Sequence, residues 1–272
     1  MHYHAGLSAG ENTLNAQLLR VLLRTVAASD AEAGYSPTEW LEAYAKFMTT
    51  PGSHNDSYAD TAHVQFFYQY SRGTPLEKCS GDENHSTANI GALYALVVLL
   101  LASTPRAVAA HITNGAAAGV TELLLGEVLV GAVQRHVALT HASPKLLRYA
   151  GLVATLILEL LSGVPLRTAV DTTAKELGIG NLDQLARVPP QVKEGGQTAL
   201  LPAAFSDLPV VQKGFGLSCY VHDSLPAVLF LAYKYSEPGQ VKTALLTNAN
   251  VGGKNIGDLS IAGMHRQLIA AC

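Results

Sequence analysis

Charge is scarce in this 272-residue chain. Asp, Glu, Lys and Arg make up only 14% of it, against 49% hydrophobic residues. A chain so short of charge buries a large fraction of itself or presents sizeable interfaces. The charges nearly cancel at a net −3. No basic stripe and no interleaving of aromatic with basic residues occurs, which argues against a nucleic-acid partner. Cysteine is rare as well. Cys79, Cys219 and Cys272 stand far apart, an odd number with no CxxC. A disulfide framework and a zinc ribbon are thereby disfavoured, and a reducing, intracellular compartment, the cytoplasm, is expected. The opening MHYHAGLSAGENT has neither an apolar core nor an Arg-rich face, so no signal or transit peptide is expected. Long uncharged runs are missing too. The stretch from Ala88 to Ser103 falls short of the ~20 residues that a span needs. Other apolar stretches carry Glu122 and Glu127, or Arg148 and Glu159. A charge at a bilayer centre costs roughly 2.5–3.5 kcal/mol, so these read as buried helices and no membrane span is expected.

Alternation of period two is also nearly absent, and helix follows helix. Leu14, Leu18, Leu22 and Val26 recur every four residues, one apolar stripe within a helix over 11–28. Ser36-Pro37-Thr38-Glu39 is a start signal, with Ser as the N-cap, Pro in the first turn and Glu three residues on. That helix runs to Pro51-Gly52. An aromatic-rich helix is expected over 55–71, then a loop over 77–86. Further helices are expected over 88–102, 104–113, 116–139 and 144–162, from Val164-Pro165-Leu166 to near residue 178, and as a short capped turn at 181–184. More follow over 219–235, 240–250 and 256–271. The segment from Val188 to Leu208, rich in Pro, Gly, Gln and Lys, reads as one long loop. The expectation is an all-α fold, a single-domain orthogonal multi-helix bundle over residues 1–272, without internal repeats.

Two familiar motifs are missing. GGKNIG (Gly252 to Gly257) lacks the order of a P-loop and follows a helix, so the dinucleotide-binding context fails too. No GxSxG elbow occurs. Polar residues gather instead at helix starts: Gly10-Glu11-Asn12-Thr13, then Ser53-His54-Asn55-Asp56 with Asp60, then Asp82-Glu83-Asn84-His85, then Gly252-Gly253-Lys254-Asn255. Helix N-termini suit phosphate or pyrophosphate, and oxygen-rich clusters suit a hard cation such as Mg²⁺. The same residue types are also ordinary caps, and for any one cluster both readings stand. His2 and His4 have the spacing of a metal pair on an extended segment, but near a chain end they read as solvated histidines.

Taken together, these stretches resemble the ADP-ribosylglycohydrolase superfamily. Gly10-Glu11-Asn12-Thr13 followed by LNAQLLRVLLR is similar to that family's Thr-Asp-Asp-Thr motif and apolar helix. Gly252-Gly253-Lys254-Asn255-Ile256-Gly257 stands where the family has Gly-Gly-Asp-Thr-Asp-Thr. Thr140-His141-Ala142-Ser143-Pro144 resembles its Thr-His-x-x-Pro helix start, and Leu161 to Leu166 its Leu-Ser-Gly-x-Pro-Leu. Tyr220 to Tyr233, YVHDSLPAVLFLAY, resembles its penultimate helix. HYHAG, AGENTLN, MTTPGSHND and KYS look most similar to the crystallin-J-type subgroup, built on the hydrolase fold and recruited as lens proteins. The family's opening helix, with its Gly-Asp pair, has no counterpart, so the fold is expected without it.

The resemblance implies one or two Mg²⁺ ions held by Asp and Thr oxygens, orienting ADP-ribose and a water. Carried over, Glu11, Asn12 and Thr13 are the metal-ligand candidates, in a degraded motif. Asp56, Asp82, His85, Gly252, Gly253 and Asn255 are the candidates for ADP-ribose contact. The catalytic residue stays unassigned. Asn12 replaces one carboxylate, and Lys254 and Ile256 replace two more. An ammonium repels a cation and isoleucine supplies no oxygen. Asp258 is two residues further on, about 200° around a helix from Ile256. The expectation is therefore impaired Mg²⁺-dependent hydrolysis, with magnesium absent and the fold serving as a structural, assembly or crystallin-like protein. An active hydrolase, or an ADP-ribose binder without turnover in which Lys254 faces phosphate, is the alternative.

Overall fold

The computed structural model describes residues 4–8, 10–29, 34–84, 86–103, 118–187 and 207–251, except the side chains of 118–124. Among these residues the regular elements are all helical. None of the described helices is long and apolar enough to cross a membrane. The chain divides into two compact units, Met1–Thr155 and Leu156–Cys272.

In the first unit, helix α1 (Leu14–Ala28) buries Leu14, Leu18, Val21 and Leu22, the stripe expected from the four-residue spacing. Helix α2 (Pro37–Thr49) starts as its sequence dictates. The Ser36 side chain accepts the Glu39 N–H and Pro37 occupies the first turn. It buries Trp40, Leu41, Tyr44 and Ala45, and it packs on α1. Helix α3 (Thr61–Ser71) begins six residues later than its composition suggests. The cause is local. Asp56 Oδ1 accepts the Tyr58 N–H at 3.1 Å and Asp60 Oδ1 accepts the His63 N–H at 3.2 Å. Aspartates that bond backbone N–H groups two and three residues on compete with helix and favour an extended entry.

A single 3₁₀ turn, Leu76–Lys78, touches α2. A wholly buried 3₁₀ segment, Ile90–Ala95, runs into helical residues 96–103. Asn89 caps it by accepting the Gly91 N–H at 2.8 Å. Gly91 permits the approach to α1, because a Cβ there would lie 2.7 Å from Asn15 Nδ2. Helix α4 (Ala118–Ala138) and helix α5 (Pro144–Leu161) follow. Gln134 Nε2 on α4 donates to the Leu147 carbonyl on α5 at 3.0 Å.

The second unit contains α6 (Leu166–Glu176), α7 (Leu182–Ala186), a π-helical turn (Val210–Phe215), α8 (Val221–Lys234) and α9 (Val241–Val251). Helix α8 is its centre. It is apolar nearly all round, buries every residue from Ser224 to Leu231, and contacts α6, α7, the π turn and α9. Such a helix can only be a core element. Asn181 caps α7 by accepting the Gln184 N–H at 3.1 Å, as expected from sequence. The helices expected over 104–113 and 256–271, and all but the last two residues of the long loop, lie outside the described residues.

An aromatic cluster joins α2 to α3. Tyr44 stacks on Trp40 at 5.3 Å and meets Phe66 and Phe67 at 5.1 and 5.2 Å between ring centroids. Phe66 is fully buried, whereas Val64 on the outer face of α3 is 59% exposed. Phe66→Ala is expected to lower the unfolding free energy by about 3–5 kcal/mol. Val64→Ala is expected to change it by less than about 0.5 kcal/mol. Urea denaturation followed by circular dichroism measures both.

Candidate functional site

Two polar centres lie in the first unit, both formed where a loop meets a helix start. At the first, Asp56 is buried against the N-terminus of α1. Its Oδ2 accepts the Leu14 N–H at 2.8 Å, and its Oδ1 accepts the Tyr58 N–H at 3.1 Å and His4 Nδ1–H at 2.9 Å. Helix α1 has no cap from its own N-cap side chain, Thr13. A carboxylate from 42 residues further along the chain does that work, favoured there by the unpaired N–H groups and the positive end of the dipole. Burial alone would raise the Asp56 pKa. The Leu14 N–H, His4 and the Tyr58 N–H outweigh burial and hold it below the ordinary value of 3.8. Glu11 extends this network, its Oε2 accepting the Ser8 N–H at 2.7 Å and Asn55 Nδ2–H at 2.9 Å. The opening turn fits closely here. A Cβ on Gly6 would stand 2.8 Å from the Asn55 carbonyl oxygen. His4 is thus an internal partner of Asp56, not the solvated histidine its position in the sequence suggests.

The second centre is built on Asp60, the N-cap of α3. Its Oδ1 takes the His63 N–H, and its Oδ2 lies 3.2 Å from His141 Nε2, at the start of α5. The Thr140 hydroxyl sits 2.8 Å from His141 Nδ1, and the Tyr44 hydroxyl 2.7 Å from His63 Nδ1. Asp60, His63 and His141 are all buried, and one ligand atom from each lies within 4.8 Å of the others. Burial would raise the Asp60 pKa, but His63 and His141 with their hydrogen bonds drive it far below the usual carboxylate range. Burial first, then the charges of Tyr94, Asp60 and Cys79, keeps the Tyr44 phenol protonated. Nearby, Tyr35 OH and His136 Nδ1 stand 2.6 Å apart, and Trp40 faces the same ring at 5.3 Å. Burial, and then His141, lowers the His136 pKa from 6.5 to about 3, so the ring is neutral.

The structure brings some of the expected residues together and not others. Glu11, Thr13 and Asp56 meet at the start of α1. Thr13 Oγ1 is buried there without a hydrogen-bond partner. Asn12 is exposed, as is Asp82. Glu83, next to Asp82, accepts the Ser143 hydroxyl at 2.8 Å at the start of α5. His85, Gly252, Gly253, Asn255 and the substituted positions Lys254 and Ile256 lie outside the described residues. His63 and Tyr44 were not anticipated. The Asp60-x-x-His63 spacing puts both residues on one side of a helix start and was the available signal.

The ADP-ribosylglycohydrolase profile matches residues 1–264, nearly the whole chain and parts of both compact units. The chain belongs to the ADP-ribosylglycohydrolase family. No curated protein matched it. The usual requirement of this family for a metal can be tested on the described residues. Mg²⁺ demands a near-octahedral shell of oxygens. At the start of α1, Thr13 Oγ1 is buried without a partner, while both Asp56 oxygens and Glu11 Oε2 are engaged with nitrogen donors. These described residues do not by themselves make a Mg²⁺ shell.

Two outcomes follow from the charges. The folded pKa of Asp56 is the lower one, so the unfolded chain binds more protons as acid is added. The stabilisation is complete above about pH 3.8 and is lost as pH falls through the folded value. Asp56→Asn is therefore expected to cost about 1–3 kcal/mol near neutrality, with the gap to wild type narrowing toward pH 3 in urea titrations. His136 adds a second slope. The unfolded ring takes up a proton below pH 6.5 that the folded ring refuses until about 3, so stability declines as pH falls between them. In proton NMR the His136 ring resonances are expected to hold their neutral positions down to about pH 4.5.

Proposed function

We propose that this chain is a non-catalytic ADP-ribosylglycohydrolase, its fold retained for a structural, assembly or crystallin-like role in the cytoplasm. The observation that carries the reading is the engagement of Asp56. A carboxylate fixed by two backbone N–H groups and an imidazole is a cap, and its oxygens are turned to nitrogen donors and not toward a cation. Glu11 Oε2 is likewise engaged by the Ser8 N–H and Asn55 Nδ2–H. Asn12, Lys254 and Ile256 at carboxylate positions of the family motifs support the same conclusion. The likeness of HYHAG, AGENTLN and SHND to the crystallin-J-type subgroup supports the kind of role. Because the family match runs through both compact units, we take residues 1–272 as one functional domain.

A second reading has an observation of its own. Thr13 Oγ1 is buried and unpaired at the start of α1. Buried polar groups are seldom left so unless something else meets them. A bound ADP-ribose hydroxyl or phosphate would do so, which makes the chain an ADP-ribose binder without turnover.

Isothermal titration with ADP-ribose, with and without Mg²⁺, is paired with hydrolysis assays on ADP-ribosylated peptide. The expected outcome is no Mg²⁺-dependent binding and no release of ADP-ribose. Metal-independent binding without turnover selects the binder. Release of ADP-ribose that depends on Mg²⁺ and is abolished by Glu11→Ala shows an active hydrolase and overturns both readings.

A further inference from the structure

We propose that Asp60, His63 and His141 form a buried site for a divalent transition-metal ion of the zinc type, separate from the magnesium motif of the family. Three observations carry it. The first is the donor set. Two imidazoles and one carboxylate, all buried, have ligand atoms within 4.8 Å of one another. Nitrogen donors of this kind select Zn²⁺ and its neighbours over Mg²⁺. The second is spacing. Asp60 Oδ2 and His141 Nε2 are 3.2 Å apart. Ligand bonds of about 2.0–2.1 Å at a tetrahedral angle put neighbouring donor atoms roughly 3.3 Å apart. Two imidazoles on one such ion have ring centroids about 5 Å apart, and those of His63 and His141 are 5.2 Å apart, edge to face.

The third observation is the outer layer. A metal-binding histidine is oriented by a partner on its other ring nitrogen. Both histidines have one, and both partners are hydroxyls. The Tyr44 hydroxyl meets His63 Nδ1 and the Thr140 hydroxyl meets His141 Nδ1. With its Nδ1 so engaged, His141 presents Nε2, already 3.2 Å from Asp60 Oδ2, to the ion. Today the Asp60 carboxylate accepts the His141 Nε2–H. Metal binding moves that proton to Nδ1, where it is donated to Thr140 Oγ1. A hydroxyl serves as donor or acceptor by rotating, so the ring changes tautomer without leaving a polar atom unpaired. Asp60 offsets one of the two charges of the ion. Three protein ligands leave one coordination position for water.

The site ties the start of α3 to the start of α5, with α2 supplying Tyr44. It contains none of Glu11, Asn12 or Thr13. It is compatible with the proposed loss of hydrolysis, and its test does not involve ADP-ribose.

Tag-free protein is stripped with a chelator, exchanged into Zn²⁺, Co²⁺ or Mg²⁺, and read by metal analysis, thermal melting and visible absorption. The expected results are one Zn²⁺ per chain, a rise in Tm with Zn²⁺ but not with Mg²⁺, and the intense visible bands of four-coordinate Co²⁺. His141→Gln should abolish uptake. Since that variant also loses a buried contact, Thr140→Val is the companion. It leaves all three ligands in place and should weaken Zn²⁺ binding about 10–100-fold with helicity unchanged. No stoichiometric uptake by the wild-type chain overturns the proposal. So does uptake that His141→Gln and Thr140→Val both leave intact, which would place the ion on other histidines.

Discussion

The first compact unit depends on one buried carboxylate. Asp60 lies where the chain enters α3, and its two oxygens face different elements: its own helix through the His63 N–H, and the start of α5 through His141. An ionised carboxylate without partners at such a depth would cost several kcal/mol. It therefore fixes the position of everything that compensates it. His141 must sit in the loop just before α5 with Thr140 behind it, and His63 must face inward on α3 with Tyr44 behind it. Tyr44 in turn is the ring on which Trp40, Phe66 and Phe67 pack. The aromatic core and the polar core are thus one structure, joined at the Tyr44 hydroxyl.

Asp56 solves a similar problem at the outer end of the same loop, with a different consequence. A helix start needs something negative or hydrogen-bond accepting, and a diphosphate or a side chain answers equally well. In this chain the acceptor is intramolecular. The turn carrying His4 and Gly6 closes over it, and Gly6 comes so near the Asn55 carbonyl that no side chain would fit. That turn gains order from Asp56, and Asp56 loses freedom to serve as a ligand. The same interaction that stabilises α1 weighs against chemistry at its N-terminus.

Much of this was legible in the sequence, and the division is physical. The stripe of Leu14, Leu18 and Leu22 marked α1, Ser36-Pro37 marked the start of α2, and Asn181 marked α7, because periodicity and caps are local properties. Family membership was legible because several weak motifs occurred in the right order. The late start of α3 was not. Its residues favour helix by composition, and only the side-chain bonds of Asp56 and Asp60 to backbone N–H groups show why the chain stays extended to residue 60. Pairings at long range were hidden too. His141 meets Asp60 across 81 positions, Asn55 meets Glu11 across 44, and Tyr35 meets His136 across 101. A single sequence carries no signal for such distances beyond the presence of the residue types.

The cluster around Asp60 also bears on why so costly an arrangement persists in a chain with so little charge. An apolar replacement of similar volume would often be as stable as a buried ionic group. What it would not supply is direction. Asp60 bonds at defined angles to two partners, and each histidine is held again from behind, so α2, α3 and α5 meet in one register. Leucine in those places would pack in several. Specificity explains the hydrogen bonds, but it does not require that two imidazoles and a carboxylate converge on one point with a hydroxyl behind each ring. Convergence of that kind is a property of coordination. That convergence is what makes the Asp60 centre a candidate for coordination, beyond its part in fixing the register of these helices.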